Sequence, residues 1–212
     1  MGRKSTKRDR YKDLEIREKH TVRFMVYFQN NGVEKFSMSK MAKDLGISKT
    51  TIYNHFSSKE EIIQAAITYK LNIIADYQTV LENITLPYTE RYRKAMLFFC
   101  VQIFDVSNKL LLQIKENYPK IWIKVAIFQK NVMLDLRSYY EIGIEIGVFK
   151  SNTNPVLLSL DDQKFFDLLS SQAVLKENKI EVLEAFNHHY RIKFNGLLDS
   201  SESNTKTMIG EA

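Results

Sequence analysis

The chain has 212 residues, of which 44% are apolar, and a formal net charge of +6. This length accommodates one large domain or two small ones, with enough apolar residues for a sizeable buried core. Seven glycines and three prolines argue against a barrel, a sandwich or a glycine-rich phosphate loop, and the single cysteine, Cys100, excludes an intrachain disulfide.

The positive charge is concentrated in the amino-terminal part of the chain. Residues 1–60 contain 14 Lys or Arg and 7 Asp or Glu, a net charge of +7, whereas the remaining 17 basic and 18 acidic residues give −1. A cationic segment of this kind attracts a polyanion such as a nucleic acid. Within it, residues 1–8 form a basic, flexible arm that either lies along a DNA minor groove or remains disordered.

Neither a signal peptide nor a membrane span is predicted. The basic start of the chain has no apolar run behind it. The longest apolar stretch, residues 95–101, is far shorter than the roughly 20 residues that a spanning helix needs. We therefore expect a cytoplasmic protein without a membrane partner.

Three helices are predicted within residues 9–60. An apolar stripe predicts the first helix over residues 9–31. The second is short, begins after the candidate N-cap Ser37 and ends at Gly46. Glycine suits that position because it accepts the left-handed backbone with which many helices end.

The third helix, residues 49–56, follows its N-cap Ser48 and has two different faces. Ile52 and Phe56 lie on the inner face, and the outer residues include no aliphatic side chain: Lys49, Thr50, Thr51, Tyr53, Asn54 and His55. This pattern is typical of a helix-turn-helix, whose second helix enters the major groove, although an ordinary corner between two helices has the same outline. Lys and His suit phosphates or guanine, Asn suits adenine, and Thr suits polar base edges or the thymine methyl group.

The wider pattern resembles the TetR family of bacterial transcriptional regulators over about residues 15–66. It comprises a helix that ends at Gly32, the sequence A-x-x-L-G-I-S-x-x-T-I-Y-x-H-F, and then S-K-E-E-I-I. The resemblance implies an all-α homodimer of about nine helices per chain. In it, an N-terminal three-helix helix-turn-helix domain is followed by a larger helical domain for effector binding and dimerisation.

The resemblance also implies which residues contact a DNA operator. They are Ser37, Ser39, Lys49, Thr50, Thr51, Tyr53, Asn54, His55 and Lys59. Tyr53, His55 and Lys59 are expected on phosphates. Thr50 occupies a position that is often glycine in the family, so it either reads a base or sets the helix slightly back from the DNA.

The second domain is predicted over residues 61–198. Ser58 and Glu61 form a capping box, after which the apolar pattern predicts one long helix to Leu81 that links the two domains. Five more helices are predicted at about residues 88–107, 109–117, 121–147, 161–174 and 178–198. Residues 199–212 are polar and are predicted to be disordered.

Two sets of apolar residues are candidates for binding in the second domain. By the resemblance, its helices surround an effector cavity, and four aromatic residues are predicted to line it for a small hydrophobic or aromatic molecule: Phe99, Tyr118, Trp122 and Tyr139. The last two helices carry apolar stripes that either complete the core of the monomer or pack against a second copy. The resemblance favours a four-helix dimer interface that contains Phe165, Leu169, Phe186, Tyr190 and Phe194.

Catalysis finds no support in the sequence. The four histidines lack metal-ligand spacing, and the adjacent His188 and His189 point about 100° apart on a helix. Asp161 and Asp162 are interpreted as a helix cap. We expect no catalytic residue, no metal and no cofactor.

The sequence therefore predicts a DNA-binding transcriptional regulator, a repressor that a small-molecule effector releases from a near-palindromic operator. The alternative is a ligand- or partner-binding protein of the same fold that has lost DNA regulation. The sequence leaves open the effector, the operator, the regulated genes, and the choice between repression and activation.

Overall fold

The computed structural model describes residues 7–198, with side chains from residue 13 onward, so most of the predicted arm and the whole predicted tail lie outside the described residues. Within this range the chain is all-α, as predicted, apart from one isolated antiparallel bridge between Phe149 and Leu198. The eleven described helices are α1 (Lys7–Asn31), α2 (Met38–Leu45), α3 (Lys49–His55), α4 (Lys59–Ala75), α5 (Tyr77–Leu81), α6 (Tyr88–Phe104), α7 (Asn108–Asn117), α8 (Pro119–Glu145), α9 (Pro155–Ser170), α10 (Gln172–Glu177) and α11 (Val182–Leu197).

The helices form two compact units, and the chain passes between them more than once. Unit 1 contains the described residues up to Ile73 together with Val106–Val125. Unit 2 contains Ile74–Asp105 and the described residues from Ala126 onward. Unit 1 therefore includes α7, which is distant in sequence from α1 to α4. The functional division predicted between residues 60 and 61 stays a prediction.

The core of unit 1 combines aromatic side chains of α1 and of the segments that follow α1 and α3 with aliphatic side chains of α2, α3, α4 and α7. Phe24 packs edge-on against Phe56 with ring centroids 5.3 Å apart. Leu110 and Ile114 of α7 are fully buried in the same cluster. Burial of such side chains stabilises each by about 1.5–3 kcal/mol relative to an exposed position. Helices α4 and α7 thus complete the core around the first three helices.

Unit 2 has a separate core rich in tyrosine and phenylalanine. Tyr92, Tyr140 and Phe194 are buried there, and the Tyr92 and Phe194 ring centroids lie 4.9 Å apart. Cys100 is also buried in this core, as its apolar neighbours in the sequence indicate. Among residues 7–198, no single helix is long and apolar enough to cross a membrane; α6 and α7 meet that criterion only when taken together.

The prediction of one continuous helix from Glu61 to Leu81 is wrong. The helix is interrupted at Asp76, between α4 and α5. Tyr77 is buried, its hydroxyl donates to Asp135 Oδ2 at 2.5 Å, and its ring packs edge-on against Phe99. These contacts hold the start of α5 at a point where the sequence contains no helix breaker.

The helices near the carboxyl end also differ from the prediction. Helix α9 begins at Pro155, because the Asn154 side chain accepts hydrogen bonds from the backbone N–H groups of Val156 and Leu157. The interpretation of Asp161 and Asp162 as a helix cap is therefore wrong, since both lie inside α9. The short helix α10 is also additional, and together with the break at Asp76 it accounts for eleven helices where about nine were expected.

Candidate nucleic-acid interface

The turn between α2 and α3 has the geometry that the sequence predicts. Ser37 caps α2 by accepting a hydrogen bond from the Lys40 N–H at 3.2 Å. At the other end, Gly46 adopts the left-handed conformation with φ 63°, and the Ile47 N–H donates back to the Ala42 carbonyl at 2.9 Å. These bonds satisfy groups that a helix terminus otherwise leaves unpaired, and they fix the direction in which α3 leaves the turn.

One face of helix α3 is packed into the core of unit 1, and the opposite face is exposed. Ile52 is 0% exposed and Phe56 follows it into the core of unit 1. The opposite side presents a set of exposed residues that we call the α3 outer face: Lys49, Thr50, Tyr53 and Asn54. Tyr53 is 55% exposed, so its ring and hydroxyl are accessible to a partner.

Two other predicted contact residues on α3 are only half exposed. The Thr51 hydroxyl lies 2.8 Å from the Ser48 hydroxyl, and the Thr51 N–H donates to the same Ser48 oxygen at 3.0 Å. His55 ends the helix, and its carbonyl oxygen accepts a hydrogen bond from Arg17 of α1. Thr51 therefore helps to cap α3, whereas His55 lies at the edge of the α3 outer face.

Behind His55 lies a second histidine, His20 of α1. The two imidazole rings are 6.1 Å apart, and Nδ1 of His20 makes no hydrogen bond within the described residues. Burial, followed by the charges of His55, Arg23 and Lys19, lowers the pKa of His20 below its usual 6.5. The shift favours the neutral form of His20 behind α3.

The start of α4 lies beside the α3 outer face and is capped by a modified form of the predicted box. Ser58 Oγ accepts from the Glu61 N–H at 3.0 Å, as expected. The Glu61 carboxylate instead accepts from the N–H and the hydroxyl of Ser57, each at 2.7 Å, and from Arg17 at 2.7 Å. The hydrogen bonds from Ser57 and then from Arg17 lower the pKa of Glu61 to about 2.

Arg17 is the residue of this region that sequence reasoning missed. Its guanidinium lies 4.4 Å from the centre of the Phe56 ring, donates to the His55 carbonyl and pairs with Glu61. It thereby connects α1 with the end of α3 and the start of α4. No sequence signal identifies such a residue, because its partners are 38 and 44 positions away.

The remaining predicted DNA-contact residues surround α3. Ser39 is exposed on α2. Lys59 is exposed at the start of α4, and its ammonium donates to the Phe36 carbonyl at 3.2 Å. From residue 37 to residue 60 the chain carries four lysines and two acids, so this surface has a net positive charge. The structure thus brings all nine predicted residues into one region of unit 1, while their contact with DNA stays a prediction.

The four residues predicted to line an effector cavity are divided between the two units. Phe99 and Tyr139 belong to the core of unit 2, where the Tyr139 hydroxyl donates to the Tyr88 carbonyl at 2.9 Å. Tyr118 and Trp122 pack against the core of unit 1, and the Lys115 ammonium lies 5.6 Å from the Trp122 ring. Their shared role in ligand binding stays a prediction.

The residues predicted to form a dimer interface fall into two groups. Leu169, Phe186 and Phe194 are buried in the core of the single chain, and Phe165 and Tyr190 are partly buried. The same two helices expose other apolar residues: Leu160 and Leu183, and a set that we call the outward α9–α11 face, Leu157, Leu168 and Ile192. Leu157, Leu168 and Ile192 also line a groove of about 1020 Å³. The outward face is thus an exposed apolar surface on these two helices, and the predicted dimer interface stays a prediction.

Unit 2 also contains a buried ionic cluster that the sequence did not reveal. Asp162 is 0% exposed and accepts hydrogen bonds from the hydroxyls of Tyr92 at 2.5 Å and Tyr140 at 2.6 Å. The Lys193 ammonium pairs with it, and His189 Nε2 lies 3.3 Å away. Burial raises the pKa of the Asp162 carboxyl, but hydrogen bonds from His189 and the charge of Lys193 outweigh burial, so the pKa lies below its usual value.

This cluster is not a convincing metal site. Ligand atoms of Asp161, Asp162 and His189 lie within 4.8 Å of one another. However, the Lys193 ammonium contacts both carboxylates and also donates to the Leu158 carbonyl at 3.0 Å. An ammonium ion already supplies the positive charge that a metal would bring. The cluster therefore ties α9 to α11.

Comparison with known sequences finds regulators of one kind. A family profile described as bacterial regulatory proteins of the tetR family matches residues 25–66. A helix-turn-helix-type transcriptional regulator of Staphylococcus aureus strain USA300 is 34% identical over 140 residues, which are 65% of this chain and 68% of that protein. A second, from strain MSSA476, is 28% identical over 205 residues, which are 95% of this chain and 99% of that protein.

Solved structures share the fold at low sequence identity. A TetR transcriptional regulator of Chloroflexus aurantiacus J-10-FL has a TM-score of 0.66 and 18% identity, with 89% of this chain and 100% of that chain covered. The transcriptional regulator FadR of Bacillus subtilis, solved in complex with stearoyl-CoA, has a TM-score of 0.63 and 17% identity, with coverages of 84% and 96%. Both are similar to this chain in fold.

Proposed function

Because this chain belongs to the TetR family of bacterial transcriptional regulators, we propose that it acts as a dimeric repressor that a small-molecule effector releases from its operator. The observation that carries the DNA-reading part is the two-sided α3, with Ile52 buried and the α3 outer face exposed in a cationic region. A helix held in this way can enter the major groove without losing its packing.

The chemistry of the α3 outer face suggests a division of roles. Asn54 can pair with an adenine edge, and Thr50 can contact a base or the thymine methyl group. Tyr53 and Lys49 can reach phosphates, as can Lys59, whose ammonium has two further N–H groups besides the one bonded to Phe36. Phosphate contacts of this type position the protein, and base contacts select the sequence.

A dimer presents two copies of α3 to successive turns of DNA. The outward α9–α11 face supports this part of the proposal because it exposes several large apolar side chains on two adjacent helices, including Ile192 at 65%. Packing of this face against a second copy would bury them. Dimeric readers of this type bind half-sites that lie about 34–36 Å apart.

Release by an effector is proposed as a shift between two conformations. A ligand that binds the non-reading conformation more tightly lowers operator affinity only to the extent that its binding free energies for the two conformations differ. That difference is typically about 1–3 kcal/mol. Helix α4 is the proposed mechanical element, because it begins beside the reader and ends at the Asp76 break. The similar fold of FadR was solved with stearoyl-CoA, which supports including long-chain acyl-CoA among the effectors tested.

The experiment is fluorescence anisotropy of the full chain with duplexes from the DNA that flanks its own gene. Wild-type protein is compared with Tyr53→Ala and with Ile84→Ala, which removes an exposed apolar side chain from unit 2. We expect salt-sensitive binding that Tyr53→Ala weakens and Ile84→Ala does not. A panel of acyl-CoA and aromatic compounds should then release the DNA.

Two results would count against the proposal. Absence of any salt-sensitive complex would favour a ligand- or partner-binding protein without DNA regulation. Binding that every compound in the panel leaves unchanged, or strengthens, would remove the release mechanism while leaving the DNA-reading assignment in place.

A further inference from the structure

We infer that Gln113 of α7 is a positioning residue for DNA reading, because it holds the turn between α1 and α2 through the backbone of Val33. This inference rests on the proposed function and concerns the same reading surface. Gln113 lies 80 positions from Val33 in the chain and only 7% of it is exposed. It would not be recognised as part of a reader from sequence.

The first observation is the hydrogen bonding of the Gln113 side chain. Its Oε1 atom accepts a buried hydrogen bond from the Val33 N–H at 2.8 Å. Its Nε2 atom donates to the Glu34 carboxylate at 3.3 Å. One amide side chain therefore satisfies a main-chain donor and a side-chain acceptor in the same turn, with the planar geometry that an amide provides.

The second observation is the shape of the turn itself. Gly32 has φ +69°, a conformation that strongly favours glycine. A Cβ atom added at Gly32 would collide with the Gln113 carboxamide, whereas one added at Gly46, with nearly the same φ, would meet no atom within 4 Å. The absence of a side chain at Gly32 is what allows Gln113 to reach the backbone.

The third observation links this turn to the reading surface. After Val33 the chain reaches Phe36, whose carbonyl accepts from Lys59, and then Ser37, which caps α2. Both Lys59 and Ser37 are proposed DNA contacts. A change at Val33 therefore alters the start of α2 and the main-chain oxygen that holds Lys59.

The packing of α7 into the core of unit 1 fixes the position of Gln113. Leu110 and Ile114, on either side of it, are fully buried in the core of unit 1. Asn117 donates to the Gln113 carbonyl at 2.9 Å and braces the last turn of the helix. Helix α7 is also the segment by which the chain re-enters unit 1 after passing through unit 2.

The main test uses the full chain with three variants. Gln113→Leu removes both hydrogen bonds at similar volume, Gln113→Glu combined with Glu34→Gln keeps an acceptor for Val33, and Gln64→Leu makes the same change as the first at an exposed position of α4. Anisotropy is measured with an operator duplex and with an unrelated duplex, and amide hydrogen exchange is measured at Val33.

We expect Gln113→Leu to weaken operator binding about tenfold, because the turn that loses its acceptor occupies the binding conformation for a smaller fraction of the time, with little change on the unrelated duplex. Exchange at Val33 should accelerate. Gln113→Glu combined with Glu34→Gln, which removes the like charge beside the new carboxylate, should restore most of the affinity, and Gln64→Leu should resemble the wild type. A variant that is only less stable would contain less folded protein, which lowers specific and unspecific binding by the same factor. The ratio between the two affinities would then stay unchanged.

A second test uses the two glycines. Gly32→Ala should weaken operator binding more than Gly46→Ala, and the excess should disappear when Gln113→Ala removes the side chain with which the new methyl group collides. Equal operator affinity in Gln113→Leu and wild type, or unchanged exchange at Val33, would overturn the inference. Failure of the wild type itself to bind operator would instead overturn the proposed function.

Discussion

The two units of this chain use charged residues in opposite ways. Counted over the whole sequence, unit 1 contains 19 basic and 9 acidic residues, a net +10, whereas unit 2 contains 12 and 16, a net −4. In unit 1 the reading surface keeps its lysines exposed. In unit 2 Asp162 and Lys193 are buried against each other and two tyrosine hydroxyls. The exposed charges are available to a partner, and the buried charges fix the packing of two helices.

The difference predicts opposite responses to mutation. Removing a charge from the α3 outer face should change binding and leave the fold intact, because those side chains have few contacts within the chain. Removing one member of the buried cluster should destabilise the fold, because the other member stays buried without its partner. The predictions below test this contrast in order of decreasing effect.

The largest effect is expected from Lys193→Met. It leaves the Asp162 carboxylate buried without its ammonium, and we expect a loss of about 3–5 kcal/mol in the free energy of unfolding, measured with urea. Arg137→Met is the matched control, because Arg137 pairs with Glu141 at 2.8 Å on the surface and should lose less than about 1 kcal/mol. Similar losses in the two variants would show that burial does not distinguish the two pairs.

The next effect is expected from Tyr53→Ala. Tyr53 is exposed, so its loss should change the free energy of unfolding by no more than about 0.5 kcal/mol. Operator affinity should fall about tenfold, as expected for loss of one hydrogen bond to a charged phosphate. Isothermal urea unfolding and anisotropy measure the two quantities. A destabilised Tyr53→Ala protein with normal affinity would place the residue in the fold and not in the interface.

A smaller and more specific effect is expected from Lys59→Ala. If Lys59 contacts one phosphate, the slope of log K against log salt should decrease in magnitude by about 0.9. Lys164→Ala, an exposed lysine of α9 in unit 2, should leave the slope unchanged. An unchanged slope in Lys59→Ala would indicate that the ammonium serves only the Phe36 carbonyl.

The smallest effect concerns acid stability. The pKa of Glu61 falls from 4.5 to about 2 in the folded chain, so its contribution is present above pH 4.5 and is lost as the pH falls toward 2. Glu61→Gln should lower the Tm slightly at pH 7 and flatten the decline of Tm between pH 4.5 and 2. Glu60→Gln, at an exposed neighbouring position, is the control. A decline in Glu61→Gln as steep as in the wild type would assign the acid sensitivity to other carboxyls.

The sequence predicted the reader closely and the second unit only in outline. Ser37, Gly46 and Ser48 were identified as caps and turn because their interactions reach only three to five residues along the chain. The start of α9 was missed although its cap is local, since Asn154 bonds to Val156 and Leu157. The cluster of Asp162, Lys193 and the two tyrosines was missed because these residues lie on separate helices. In unit 2 the sequence shows which residue types are present, but it does not show which of them contact one another.

The sequence by itself determined the all-α class, the two-sided α3, the cationic amino-terminal part and the family. These follow from helical periodicity, local capping and composition, which do not depend on distant residues. Only the tertiary structure decided that the helix is interrupted at Asp76 between α4 and α5, that α7 belongs to unit 1 and contacts it through Gln113, and that Asp162 is buried. Each of these depends on contacts between residues more than 25 positions apart in the chain, where burial and geometry select one partner among many of the same type.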